Sequence, residues 1–166
     1  MSRNSFESAR SVQQGGTAVA DSQLRDEIGF FLAITSQLYQ ARISTLIAQH
    51  DISYSQFAVL NHLVGASTPA SISELAEVME INQPGVTKVV RRLDDLELVS
   101  ISSDPSDSRR RLVSAKPKAS TLLTEIRKTL EADSQAWFEG WSQDELAAFR
   151  DRLAGLSGWL DANRLA

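Results

Sequence analysis

One stretch of the chain combines apolar side chains with hydrogen-bonding and cationic ones at helical spacing. The apolar members form a stripe that must be buried: Val86, Val89, Val90, Leu93 and Leu96. At about 100° per residue, the polar members lie on the other side: Thr87, Lys88, Arg91 and Arg92. Such side chains can donate hydrogen bonds to base edges and pair with phosphates, which favours a helix in the major groove of DNA. By itself the stretch also fits a surface helix with a solvated charged face, so its neighbours in the chain matter.

Local signals predict where this helix begins and what precedes it. Asn82 is a good N-cap, Pro84 falls in the first turn, and Gly85 would let a partner approach closely. Upstream, Ser71 and Glu74 form a capping-box pattern that opens a short helix, and a break at residues 80–83 follows. Two short helices with a tight connection, the second of them basic, predict a helix-turn-helix. Ser71 and Ser73, at the start of the first of these helices, are added to the candidate DNA contacts.

After Leu96 the apolar period changes from helical to alternating. A turn-rich stretch at residues 103–108 follows, and then Arg109, Arg110 and Arg111. This pattern predicts a β-hairpin with a cationic tip, a wing beside the helix-turn-helix. A wing arginine can enter a narrow minor groove, although an arginine triplet alone is more often a solvated turn. We therefore include all three arginines among the candidate DNA contacts.

Longer helical patterns flank this central region. We predict a flexible tail for residues 1–20, a dimerisation helix for 21–50, the winged helix-turn-helix for 51–116 and C-terminal dimerisation helices for 117–166. Two further capping boxes, at Ser53 and Ser142, agree with helix starts there. The fold class is thus mainly α with a small β-hairpin. The long helices either cap the monomer core or form a homodimer, which we favour because a two-fold axis suits a symmetric operator.

Composition narrows the class of protein. Residues 82–118 carry eight basic and five acidic residues, a net charge of +3. The rest of the chain has a net charge of -7, which gives a total of -4. Such a local positive segment can bind phosphates. The absence of cysteine removes disulfides and thiol chemistry, and His50 and His62 lack the companions of a metal site. We expect no metal, no cofactor and no enzyme activity, and the lack of a signal peptide or long apolar run predicts a cytoplasmic protein without a membrane span.

The order of predicted elements resembles the multiple antibiotic resistance regulator (MarR) family of winged-helix repressors, from about Asp21 to the C-terminus. The resemblance is carried by short motifs: Ser53-x-x-Gln56-Phe57-x-x-Leu60, Ser73-Glu74-Leu75-Ala76, Arg91-Arg92-Leu93-Asp94-Asp95-Leu96 and Asp104-Pro105-x-Asp107-x-Arg109. It implies that Arg109 enters the minor groove and that Asp107 steadies it. It also implies recognition-helix contacts at these positions: Gln83, Gly85, Thr87, Lys88 and Arg91.

The chain departs from the family pattern at the ends of the wing. Glu97 stands where glycine is usual after the recognition helix, and Ser102 stands where arginine is frequent in the first wing strand. Ala115, Lys116 and Ala119 replace a common Leu-Thr and glycine after the wing. These differences concern the loop geometry and the number of phosphate contacts, and they leave the helix-turn-helix intact.

The resemblance further implies a small aromatic or phenolic effector, bound in a cleft between the dimer helices and the DNA-binding lobe. The candidate lining residues are Tyr39, Arg42, Phe57 and His62. An aromatic or histidine on a helix is more often part of the core, so each candidate has a structural alternative.

Two functions remain from different classes. The first is a homodimeric, ligand-responsive repressor of transcription that binds a pseudo-palindromic operator in double-stranded DNA. The alternative is a winged-helix module for protein–protein interaction, whose basic face docks an acidic partner. A salt-sensitive and sequence-selective gel shift would separate them.

Overall fold

The computed structural model describes the backbone of residues 4–66 and 68–164, and side chains from Asp21 onward apart from Ser67. Helices account for most of this part of the chain, and three short strands form one sheet, so the prediction of a mainly α fold with a β-hairpin is confirmed. The helices are α1 (Asn4–Ile47), α2 (Tyr54–Ala66), α3 (Ile72–Met79), α4 (Gln83–Asp95), α5 (Pro117–Trp137) and α6 (Gln143–Ala162), with a 3₁₀ turn at Ala48–His50. The strands are β1 (Ala70–Ser71), β2 (Val99–Ser103) and β3 (Arg111–Ala115).

The chain divides into two compact units, Met1–Ser55 and Gln56–Ala166. The second unit combines the helix-turn-helix and wing with α5 and α6, which the sequence analysis had placed in a separate region. Continuity of the core explains this grouping, because Ala119, Leu123 and Ile126 of α5 are fully buried. In addition, the Lys116 backbone N–H donates to Leu98 O at 2.9 Å, which joins the start of α5 to the wing.

Helix α1 dominates the first unit. Its backbone is helical from Asn4, whereas the apolar pattern used in the sequence analysis begins at about Asp21; the mobility of residues 1–20 stays a prediction. Near its C-terminal end, Ile43 and Ile47 are buried. Between Asp21 and Arg42 every side chain is exposed, including large apolar ones: Leu24, Ile28, Phe30, Phe31, Leu32, Ile34 and Leu38. This face therefore lacks an apolar partner within the described part of a single chain.

The starts of α3 and α4 follow the predicted capping chemistry. Ser71 and Glu74 form a complete capping box, and Asn82 Oδ1 accepts a hydrogen bond from the Gly85 N–H at 2.8 Å. Pro84 lies in the first turn of α4. The apolar stripe of α4 is buried through Val86, Val90 and Leu93. Because α3 packs against α4, the two helices form one helix-turn-helix unit.

The turn after α4 is closed by backbone hydrogen bonds around Glu97. Leu98 N–H donates to Leu93 O at 2.9 Å and Glu97 N–H donates to Asp94 O at 2.8 Å, which is the pattern of a Schellman motif. Glu97 has φ +60°, the left-handed conformation that glycine adopts most easily. This geometry explains why a glycine is favoured here and shows that the glutamate is accommodated.

The sheet has the order β1-β3-β2, with both pairings antiparallel. β2 pairs with β3 from Val99↔Ala115 to Ser103↔Arg111, which confirms the predicted hairpin. β1 was not predicted from the sequence, where Ser71 was assigned only to the capping box of the next helix. This strand has only two residues, and they pair as Ala70↔Val113 and Ser71↔Leu112, so the sheet connects the wing to the start of α3.

Helices α5 and α6 differ in how deeply they pack. α5 has three buried residues, whereas no side chain of α6 is buried. The predicted capping box at the start of α6 is present, formed by Ser142 and Glu145. Several large apolar residues of α6 are exposed: Phe149, Leu153, Leu156 and Leu160. In the described part of the chain, no helix has both the length and the apolar character needed to cross a membrane.

Candidate nucleic-acid interface

The outward face of α4 presents polar and cationic side chains. Lys88 and Arg91 are exposed and form no hydrogen bond or ion pair with any side chain that the structure describes. Thr87 is half-buried, and its hydroxyl donates to Gln83 O at 2.8 Å. A shallow open depression runs along this face, lined by Gln83, Pro84, Thr87, Lys88, Arg91, Arg92 and Asp95. Five of the predicted site residues are thus brought together on one surface.

The presence of glycine at position 85 has a structural explanation that was not predicted from the sequence. A Cβ at this position would lie 2.7 Å from Ile81 Cγ2 and 3.1 Å from Asn82 Oδ1. The absence of a side chain therefore lets the turn between α3 and α4 pack against the start of α4. Access for a partner, the predicted reason, is not needed to explain this glycine.

The two serines near the start of α3 have different surroundings. Ser73 is exposed, and its hydroxyl oxygen accepts from Gln83 Nε2 at 3.3 Å, so it lies beside the first residue of α4. Ser71 is only 1% exposed, and its hydroxyl oxygen caps α3 by accepting from the Glu74 N–H at 3.2 Å. The structure therefore gives Ser71 a capping position instead of the exposed one that a side-chain contact with DNA requires.

The wing tip, residues 104–110, is organised by carboxylates that accept backbone hydrogen bonds. Asp104 Oδ1 accepts from the Ser106 N–H at 2.8 Å and from its hydroxyl at 2.6 Å. The bonds from the Ser106 hydroxyl and then from its N–H hold the pKa of Asp104 below its ordinary value. Asp107 Oδ1 accepts from the Arg109 N–H at 3.0 Å. The resemblance implied that Asp107 steadies Arg109. In the structure Asp107 binds the backbone N–H of Arg109, and its carboxylate has no contact with the guanidinium.

The three arginines of the wing have three different environments. The Arg109 guanidinium is exposed and has no partner among the described residues. Arg110 Nη2 donates to Glu74 Oε1 at 2.6 Å and to Ser71 Oγ at 3.3 Å. Arg111 Nη1 donates to Ser103 Oγ at 2.7 Å, across the hairpin. Of the triplet, only Arg109 has a guanidinium free of contacts within the described chain.

Glu74 makes a long-range contact that was not predicted from the sequence. Its place in the capping box was predicted, but its contact with Arg110 was not, because Arg110 is 36 positions away and leaves no local signal. The hydrogen bonds from the Ser71 N–H and hydroxyl, followed by the charge of Arg110, hold the pKa of Glu74 below its ordinary value of 4.5. The carboxylate is therefore ionised wherever the pH is near neutral.

A second unexpected contact joins α6 to α3. Arg164 Nη1 donates to Glu77 O at 3.0 Å and lies 3.2 Å from Glu80 Oε1, while Nη2 pairs with Asp161. The hydrogen bonds with Asp161 and the nearby carboxylates raise the pKa of Arg164. A cation at the C-terminal end of α3 also complements the partial negative charge of that helix end.

The candidate effector residues belong to different units. Tyr39 and Arg42 are exposed on α1, whereas Phe57 and His62 are half-buried on α2 in the second unit. The effector cleft accordingly stays a prediction. Over the residues described here, no cluster of three or more His, Asp or Glu side chains is arranged to hold a metal ion.

The sequence matches the model of the MarR family over residues 50–110, a range that includes α2, the helix-turn-helix and most of the wing. Among curated proteins, the HTH-type transcriptional regulator YdcH of Bacillus subtilis is 26% identical over 113 residues, which cover 66% of this chain and 77% of that protein.

Solved structures agree over a larger part of the chain. A MarR-family transcriptional regulator from Rhodococcus sp. RHA1 superposes with a TM-score of 0.71 at 20% identity, and the match covers 80% of this chain and 94% of that one. BpsR of Bordetella bronchiseptica superposes with a TM-score of 0.64 at 27% identity, covering 78% of this chain and 92% of that one. The latter structure concerns the mechanism by which 6-hydroxynicotinic acid regulates DNA binding by BpsR.

Proposed function

We propose that this chain, which belongs to the MarR family of DNA-binding transcriptional regulators, is a homodimeric repressor whose α4 reads a pseudo-palindromic operator. In this proposal each protomer inserts α4 into a major groove, with half-sites about one helical turn of DNA apart. A small aromatic or phenolic molecule releases the repressor from DNA.

The observation that carries the proposal is the exposed face of α4. Lys88 and Arg91 extend from a helix whose opposite side is fixed in the core by Val86, Val90 and Leu93. Two cations without a partner among the described residues are costly to hold side by side unless solvent or a polyanion screens them. A rigid helix with free donors at its surface is also what direct readout of base edges needs.

The wing supplies a second set of contacts. We assign minor-groove contact to Arg109, because its guanidinium has no partner in the part of the chain that the structure describes and its backbone is fixed by Asp107. Arg92 on α4 and Arg111 on β3 are exposed, and we assign them to neighbouring phosphates. Ser73 and Gln83 already contact each other at the start of α4, where a hydrogen bond to the DNA backbone would extend their pairing.

The apolar faces of α1 and α6 support a homodimer. Large residues such as Phe31 and Leu38 on α1, and Leu153 and Leu160 on α6, are exposed in the single chain. Contiguous exposed apolar surface on a globular protein marks an interaction site, and closed two-fold dimers are the most common arrangement. A dimer would also give the two copies of α4 the symmetry of a pseudo-palindrome.

The proposed effector class rests on the resemblance and on one relative. BpsR, at 27% identity, has its DNA binding regulated by an aromatic acid, 6-hydroxynicotinic acid. We extend that class, small aromatic or phenolic molecules, to this chain and keep Tyr39, Arg42, Phe57 and His62 as the candidate contacts.

Selection of bound sequences from random DNA duplexes, followed by anisotropy titration with the best sequence, tests the proposal. We expect salt-sensitive and sequence-selective binding by the parent protein. Lys88→Ala and Arg91→Ala should each weaken specific binding by about 1–3 kcal/mol where the lost contact is to a base edge. Aromatic and phenolic acids titrated against the complex should then release the DNA.

The control is Lys128→Ala, which removes an exposed cation of α5 outside the helix-turn-helix and wing. It should leave DNA affinity within about twofold, because an exposed charge away from the contact surface is screened. If the α4 variants bind duplexes as tightly as the control does, α4 is not the recognition helix. The result would then favour the alternative hypothesis, a protein–protein interaction module in which the basic face of α4 binds an acidic partner.

A further inference from the structure

We propose that Arg110 is a positioning residue that fixes the wing against the start of α3, and that it does not bind DNA itself. The inference rests on the proposed function, because it concerns how the same interface is held together. In the sequence, all three consecutive arginines of the wing are candidates for DNA contact, and only the family resemblance assigns the minor groove to Arg109. The structure distinguishes them by what each guanidinium already binds.

Arg110 lies between a carboxylate of α3 and a carboxylate of the wing. Its Nη2 atom is 2.6 Å from Glu74 Oε1, and its Nη1 atom is 3.8 Å from Asp104 Oδ2. Nη2 also donates to Ser71 Oγ at 3.3 Å. A DNA phosphate would have to compete with these two carboxylates for one guanidinium, whereas Arg109 has no such competitor among the described residues.

Glu74 is a preorganised anchor for this contact. Its Oε2 atom accepts from the Ser71 N–H at 2.7 Å and from the Ser71 hydroxyl at 2.8 Å, which leaves Oε1 for Arg110. Because the capping box already holds the carboxylate in place, little additional side-chain entropy is lost when Arg110 binds. The Glu74–Arg110 ion pair is therefore stronger than an average pair between two flexible side chains, although both are about half exposed.

The ion pair determines where the wing tip lies. The β1–β3 pairs hold the base of the wing beside the start of α3, but residues 104–110 extend beyond all paired strand residues, so these pairs do not by themselves fix the tip. The Glu74–Arg110 ion pair supplies that connection, and α3 in turn packs against α4. The distance between Arg109 in the minor groove and α4 in the major groove would then be preset before DNA binds, which lowers the ordering cost of binding.

The decisive variant is Glu74→Gln. Glutamine can occupy the third position of a capping box, so α3 keeps its cap, but the charge that holds Arg110 is lost. Simple electrostatics expects tighter DNA binding, since the variant has one negative charge fewer and leaves Arg110 free for phosphates. Our proposal expects the opposite result: the affinity for the selected duplex falls about threefold, the typical value of an exposed ion pair.

Glu77→Gln is the matched control, because it removes the same charge from an exposed position of the same helix, away from Arg110. It should bind DNA as tightly as the parent or slightly more tightly. The double variant Glu74→Gln with Arg110→Gln should bind no more weakly than Arg110→Gln alone, because each substitution removes the same ion pair between the two residues. Tighter binding by Glu74→Gln, or additive losses in the double variant, would overturn the proposal and make Arg110 a DNA contact.

A measurement without DNA separates this inference from the proposed function. Backbone amide hydrogen exchange in the DNA-free protein should be faster at Asp104 and Arg110 in Glu74→Gln than in the parent. These amides donate within the wing tip, to Arg110 O at 3.0 Å and to Asp107 O at 2.9 Å, so they report its opening. Unchanged exchange would overturn the positioning role even if the parent binds DNA. Faster exchange in Glu74→Gln than in the parent, together with a parent that binds no duplex, would support the positioning role while the proposed function fails.

Discussion

The α-carbon of Gly85 lies so close to Ile81 that a Cβ added there would be 2.7 Å from Ile81 Cγ2. A β-branched side chain cannot move this methyl group away without changing its rotamer or the backbone. The first turn of α4 can therefore pack against Ile81, in the turn before it, only because residue 85 is a glycine.

Gly85→Ala should lower the free energy of unfolding by about 1 kcal/mol. Overpacking costs about 1–3 kcal/mol, and the better helix propensity of alanine offsets up to about 1 kcal/mol of it. Urea denaturation measures the difference. Gly65→Ala, also in a helix but with no atom within 4 Å of the added Cβ, should be neutral or stabilising. Equal effects of the two substitutions would show that the Ile81 contact does not constrain Gly85.

Glu97→Gly should stabilise the protein by about 1 kcal/mol, because the residue has φ +60° and a side chain is disfavoured in that conformation. The loss of the Glu97–Lys118 ion pair, 3.8 Å long and exposed, should cost little. Thermal unfolding is the measurement. Glu131→Gly, inside α5, should instead destabilise by about 1 kcal/mol through lost helix propensity, so the two substitutions should have opposite signs.

Arg109→Ala should weaken binding to the selected duplex by about 1.5–3 kcal/mol, the value of a lost charged hydrogen bond, with little change in base preference. The slope of log affinity against log salt should fall by about one per protomer. Titrations at several salt concentrations give both quantities. An unchanged slope would mean that the free guanidinium of Arg109 does not reach the phosphates or the minor groove.

Leu153→Glu should convert the proposed dimer to monomer. Burying an unpaired carboxylate costs several kcal/mol, so the dimer dissociation constant should rise by about a hundredfold or more. Sedimentation velocity at micromolar concentration follows the change. Arg152→Glu introduces the same group at an adjacent, polar position of α6 and should leave the dimer intact. A parent protein that sediments as a monomer would contradict the homodimer directly.

The Ser142–Glu145 capping box should contribute to the pH dependence of stability. Hydrogen bonds from the Ser142 N–H and then from its hydroxyl lower the pKa of Glu145 below its ordinary value of 4.5. A depressed carboxylate pKa stabilises the folded state at pH values above 4.5, and this contribution is lost as the pH falls through the lower, folded-state value.

Glu145→Gln keeps the capping geometry but has no titrating proton. Its melting temperature should therefore fall less steeply than that of the parent between about pH 5 and pH 3, as the linkage relation requires. If the melting temperatures of the two proteins fall equally steeply with decreasing pH, the folded-state pKa of Glu145 is not depressed.

Local chemistry explains which parts of the structure could be predicted from the sequence. The bounds of α4 follow from Asn82, Pro84 and the buried stripe, and the capping boxes at Ser71 and Ser142 fix two other helix starts. All of these signals lie within a few residues of the element they define.

Features that depend on distant residues could not be predicted in the same way. β1 has only two residues and pairs with β3 about 40 positions later, so it has neither length nor alternation to reveal it. The partner of Arg110 is 36 positions away, so no local pattern shows that this arginine of the triplet is held by a carboxylate. The reason for Gly85 likewise became clear only from its distance to Ile81.

The register of the shortest strand has a consequence for the chemistry of the wing. Ser71 is at once the last residue of β1 and the N-cap of α3, and it pairs with Leu112 of β3. Arg110 lies two residues before Leu112 and Glu74 lies three residues after Ser71, so this pair holds together the two segments whose side chains form the Glu74–Arg110 ion pair. A shift of β3 by one residue against β1 would bring a different arginine of the triplet to Glu74.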